Sequence, residues 1–184
     1  MKIVAIDIGI IHMGMVGCEV SWDSVVVEHV SLTDITKRCR NKNCTLNHSK
    51  NMVDRVDHFI QQHKEILDKA DRVLLEKQPI TGLIAVEQLL FDRMRDKVRF
   101  VYPMSLQSYF GMRHLQYEER KEFLVNKMWI MLEGTIFEDV ERKHDIADAM
   151  AMIMYWQKNS TETLRPLPVN QTNPFDQFRC CVDN

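Results

Sequence analysis

The sequence predicts an α/β domain in which helices flank a mixed, five-stranded sheet. Three strand-like stretches follow one another within the first 32 residues, and helical and strand patterns alternate after them. Two of the strands also end in an acid, as in open α/β sheets that place ligands at strand C-termini.

Residues 2–9 read as a buried strand, apolar on both faces and closed by a glycine. Strands are predicted over 13–20 and 24–32, the second rich in valine, with the polar link at 21–24 suited to a hairpin. Residues 33–47 are polar, basic and cysteine-bearing, which predicts a loop. One helix is expected over 49–70, where Met52, Val56, Phe59, Ile60, His63, Ile66 and Leu67 recur at helical spacing. A short strand over 72–76 ends before Gln78 and Pro79. The next helix, over 83–95, draws its apolar face from Ile84, Val86, Leu89, Leu90 and Met94. Residues 98–101 make the fifth strand, stopped by Pro103, and 117–132 and 143–158 have helical composition. Prolines 166, 168 and 174 among many amides predict an extended tail over 159–184, leaving one domain over 1–158.

Composition bounds the function. No apolar run is long enough to span a bilayer, so no membrane role is expected. The opening residues read as a strand rather than a secretory leader, and the five cysteines are irregularly spaced; both suggest a reducing, intracellular setting. With a formal net charge of −2, a nucleic-acid partner would need basic residues gathered on one face. Lys37, Arg38, Arg40, Lys42 and Lys50 form one cluster, and Arg93, Arg95, Lys97 and Arg99 another; either also serves as a solvated surface.

The chemistry points to four acids. Asp7 ends the first apolar strand and Glu76 the fourth, and a carboxylate there is expensive to bury unless it is paired or holds a cation. Asp145 and Asp148 stand three apart at a helix start, so both project from one side. The alternative is that they complement the helix dipole. Ala147, Ala149 and Ala151 would let this helix lie close against the sheet and carry its acids to the strand ends. Four such oxygen donors suit Mg²⁺ or Mn²⁺, two per site, and phosphoryl transfer with ions about 3.5–4 Å apart.

Three segments together resemble the motifs of RuvC-type Holliday junction resolvases: Ala5-Ile6-Asp7-Ile8-Gly9, Leu75-Glu76-Lys77-Gln78-Pro79 and Asp145-Ile146-Ala147-Asp148. The nearest branch is that of poxviruses and other large DNA viruses, with the yeast mitochondrial resolvases, and the similarity runs from about Lys2 to Lys158. The resemblance implies an RNase H-like fold and a homodimer that cuts branched DNA, a four-way junction, by paired symmetric nicks in recombination and repair. It implies Mg²⁺ or Mn²⁺ dependence and 5′-phosphate ends. If the source is viral, the setting is host-cell cytoplasm or nucleus at sites of viral DNA replication. Members carry a basic residue ahead of the last two acids, which Lys121 matches best. Lys77 and Arg120 are candidates for phosphate contacts, and Arg95, Lys97 and Arg99 for a DNA track. The apolar faces of the helices at 49–70 and 83–95 are the expected dimer surfaces. The rival readings are a less selective RNase H-like nuclease acting on flaps or RNA–DNA hybrids, and an actin-like or sugar-kinase ATPase. The latter is opposed by only six glycines and a single domain's length. Residues 33–47 depart from the viral branch. There Cys39-x4-Cys44-x3-His48 would hold zinc if a fourth ligand such as His29 joined, and otherwise offers unpaired thiols.

Overall fold

The computed structural model describes residues 1–39 and 44–160. Aliphatic runs give five strands: β1 (Lys2–Asp7), β2 (Met13–Val20), β3 (Val25–Thr33), β4 (Arg72–Glu76) and β5 (Val98–Val101). They pair in the order β3-β2-β1-β4-β5, antiparallel from β3 to β1 and parallel from β1 to β5. One edge of the sheet therefore collects the C-terminal ends of β1, β3, β4 and β5 and the start of β2. Asp7 lies opposite Gly14 there, and Met13 opposite Thr33.

Strand side chains alternate between faces, which makes two cores. Val4, Ile6, Val73 and Leu75 face α1 (Met52–Gln62), α2 (Lys64–Lys69) and α3 (Ile84–Arg93). Ile3, Ala5, Val16 and Leu74 face α4 (Pro103–Tyr109), α5 (Tyr117–Leu132) and α6 (Lys143–Asn159). Ala147, Ala149 and Ala151 of α6 are fully buried, so small side chains let this helix lie between the sheet and α5. Closest approach comes at Gly14, where a Cβ would stand 2.3 Å from the carbonyl oxygen of Asp145. Only glycine fits.

Three expectations need correction. The helix predicted over 49–70 breaks at His63, whose buried ring lies 3.1 Å from Thr33 Oγ1 and whose backbone leaves helical geometry (φ −105°, ψ 16°). Pro103 stops β5 but also starts α4, because its fixed φ and missing N–H suit the first turn of a helix. The apolar faces expected to form a dimer surface are used within the chain: Val56, Phe59, Val86 and Leu90 are buried in the core. The predicted tail, from residue 161 onward, lies outside the described residues, as do Arg40 and Lys42. Among the described residues, no helix is long and apolar enough to cross a membrane.

Candidate metal centre at the sheet edge

Strand parity aims the first two acids. Ile3 and Ala5 face α6, and so does Leu74. Counting in twos puts Asp7 and Glu76 on the same face, at the last residues of neighbouring parallel strands. The Asp145–Gly14 contact brings the first turn of α6 down on that edge, carrying Asp145 and, one turn on, Asp148. The structure thus brings all four predicted acids together.

Their electrostatics reflect the crowding. Burial pushes the Asp7 carboxyl well above its ordinary value, and the charges of Asp148, Glu76 and Asp145 push it further, with Arg142 opposing. Asp148 is raised to about 7 by burial, then by Glu76 and Asp145. Burial also raises Glu76, partly offset by the Gln78 amide donating at 3.3 Å. Among the described residues, nothing donates a hydrogen bond to the carboxylates of Asp7 or Asp148. No three of these acids bring oxygens within 4.8 Å of one another. The donor set is all oxygen and strongly anionic, which fits hard divalent cations.

Arg142, just ahead of α6, is a site residue that the sequence reading missed. Its Nε donates to Asp145 Oδ2 at 3.0 Å and its Nη2 to His144 Nε2 at 2.8 Å. Burial favours the neutral His144 ring, so the 3.1 Å approach of Nε2 to Asp145 is a close contact rather than an ion pair. The available signal was the spacing Arg142-x-x-Asp145, which puts base and acid on one helical face. Lys121 of α5 stands within electrostatic reach: its charge opposes the rise at Asp148, and its Nζ lies 4.1 Å from the Tyr117 ring.

The predicted DNA contacts divide. Arg120, beside Lys121, donates through Nη1 to the Leu115 carbonyl at 2.9 Å. Lys77 is held by Glu87, a fully buried acid that also accepts from the Gln78 backbone N–H at 2.6 Å. Arg95, Lys97 and Arg99 do not flank the acids. They lie toward the N-terminal end of β5: Lys97 precedes the strand, its carbonyl accepting from the Val73 backbone N–H, and Arg99 pairs with Leu74, two residues down β4 from Glu76, or about 7 Å. Each is also engaged. Lys97 donates to the Leu67 and Asp68 carbonyls at the end of α2, Arg95 pairs with Asp92, and Arg99 donates to the Val98 carbonyl. The β3–α1 cluster fares differently, because β3 ends at the acidic edge and puts Lys37 and Arg38 just beyond it.

Comparison with solved structures settles the architecture. The fowlpox virus resolvase in complex with Holliday junction DNA matches over 90% of this chain and all of its own, with a TM-score of 0.62 and 15% identity. The yeast mitochondrial Holliday junction resolvase Ydc2 matches over 89% of this chain and 84% of its own, at 0.59 and 16%. Thermus thermophilus RuvC matches over 88% and 98%, at 0.57 and 17%. The chain has the resolvase fold. No family model and no curated protein matches it. The expected RNase H-like mixed sheet of the resolvase fold is therefore the observed one, and the acids occupy its parallel-strand edge.

Proposed function

We propose that the protein is a metal-dependent, structure-selective endonuclease that resolves four-way DNA junctions by paired nicks. The observation that carries this reading is the convergence of Asp7, Glu76, Asp145 and Asp148 at one edge of a resolvase fold. Two of those acids, Asp7 and Asp148, are half-buried and accept no hydrogen bond from the described residues. Bound Mg²⁺ or Mn²⁺ would supply a water acidic enough to attack at neutral pH and would offset charge on the phosphodiester. The four acids would hold the ions. Arg142 orients the Asp145 carboxylate. Lys121, whose positive charge reaches Asp148, would offset charge that accumulates on a phosphate oxygen during displacement. Hydrolysis with the 3′-oxygen leaving gives a 5′-phosphate and a 3′-hydroxyl. Symmetric cutting requires two sites related by a two-fold axis, hence a homodimer. Since the inner faces of α1 and α3 are buried, an interface built on these two helices would use outward residues such as Val53 and Ile84.

The test is cleavage of a four-way junction, a flap and an RNA–DNA hybrid, each with Mg²⁺, Mn²⁺ or chelator. Preferred, metal-dependent cutting of the junction at symmetric positions is expected. Equal cutting of all three would replace this proposal with an unselective RNase H-like nuclease.

A further inference from the structure

A second cluster of metal-ligating side chains lies outside the acidic site and differs from it in chemistry. Cys39, Cys44, His48 and His58 each bring one ligand atom within 4.8 Å of the others. Cys39, Cys44 and His48 come from the connection between β3 and α1, and His58 from α1 itself. We propose that these four side chains form a structural zinc site that fastens the β3–α1 connection to the domain.

The geometry is close to that of a bound site. Zn–S bonds of about 2.3 Å and Zn–N bonds of about 2.0–2.1 Å at tetrahedral angles set sulfur–nitrogen edges near ~3.6 Å. Cys44 Sγ and His58 Nδ1 are 3.7 Å apart. The His58 ring is also oriented for the task. Its Nε2 lies 2.9 Å from the Asn47 carbonyl, an acceptor only, so Nε2 carries the proton and Nδ1 turns its lone pair toward Cys44. A metal-bound histidine characteristically donates its other ring nitrogen to such a partner. The His48 ring lies beside it, with centroids 4.8 Å apart. His29, the fourth ligand considered from sequence, is elsewhere. It sits within β3 opposite Gly17, its ring edge-on to His63 at 5.7 Å.

The donor set selects the ion. Two thiolates and two imidazoles in a closed tetrahedron suit Zn²⁺, whereas the all-oxygen acidic site suits Mg²⁺ or Mn²⁺. With two thiolates and two neutral rings the zinc unit is neutral overall. It leaves uncancelled the charges of Lys37, Arg38, Lys50 and Arg55, which line the cavity of about 260 Å³ beside it. Zinc would therefore anchor a basic surface at the same sheet edge as the acids, where Ile35 is the one buried side chain among the described residues of the connection.

The full chain, purified without an affinity tag under reducing, chelator-free conditions, should carry one zinc per molecule by elemental analysis. Cys39→Ser, Cys44→Ser and His58→Gln should each lose it, while His29→Gln and Asp7→Asn should keep it. Replacing zinc with Co²⁺ in the unsubstituted protein should give the visible bands of tetrahedral cobalt and thiolate-to-metal charge transfer in the near ultraviolet. That measurement does not depend on any variant folding. An unsubstituted chain that lacks zinc and gives no charge-transfer band with excess Co²⁺ would overturn the proposal. So would a disulfide between Cys39 and Cys44 in the reduced preparation, or zinc retained by Cys44→Ser and His58→Gln.

Discussion

Asp148→Asn should stabilise the metal-free protein while destroying its metal response. In the fold, the Asp148 carboxyl is pushed up to about 7 by burial and by Glu76 and Asp145; in the unfolded chain it titrates near its ordinary value. The sign follows from linkage. Below pH ~4 both states are protonated and there is no penalty. As pH rises, the unfolded state gives up its proton first, so stability falls until the folded group also ionises at about 7. A shift of roughly 3 units at ~1.36 kcal/mol each amounts to about 4 kcal/mol. Asp148 retains partial solvent access, so the gain from neutralising it should be about 2–4 kcal/mol at pH 8. For a chain of this size that raises Tm by at least about 4 °C. Melting curves in chelator should show the variant's advantage growing from pH 5 to 8. Excess Mn²⁺ should stabilise the parent by about 2.7 kcal/mol at a hundred times Kd and leave the variant unmoved. An acid that merely complements the helix dipole predicts the reverse, a loss of about 0.3–1 kcal/mol on neutralisation. If Asp148→Asn melts below the parent at pH 8 in chelator, the acids are not a strained metal site.

Arg142→Gln leaves Asp145 unsteered; metal affinity should fall roughly 10–100-fold, read by calorimetric titration, with junction cleavage recovered at higher Mn²⁺. Gly14→Ala puts a Cβ 2.3 Å from the Asp145 carbonyl, so α6 must shift; a stability loss of about 1–3 kcal/mol and loss of cleavage are expected by thermal melting and gel assay. Lys77→Met strips the fully buried Glu87 of its cation and should destabilise the fold by about 3–5 kcal/mol in urea titration; unchanged stability would release Lys77 for a DNA role. Junction affinity should fall by about 0.9 in log K per log unit of salt for each phosphate neutralised. Alanine at Arg95, Lys97 and Arg99 should leave that slope intact, whereas alanine at Lys37 and Arg38 should reduce it.

What was legible in the sequence was whatever rests on local period. The ends of β2, β4 and β5 and of α5 match the patterned residues, and the acids were found because each closes or opens an apolar run. What was not legible depends on direction and on distant partners. Residues 93–99 look like a DNA track by charge alone, yet β5 runs parallel to β4, so the residues before it must sit at the opposite end from Glu76. That conclusion needs the pairing of strands, which no charge count contains. Likewise, nothing around His63 marks a helix break, since the partner of its ring, Thr33, comes from another strand. His58 was read as neither core nor ligand, because its cysteine partner lies across a connection whose course periodicity does not fix. Arg142 is the instructive case between these. Its spacing from Asp145 is local, but its importance depends on Asp145 being buried among like charges, and that arises only when β1, β4 and α6 meet. Side chains that close an element show in the sequence; those that serve another element's charge become visible once the sheet order is known.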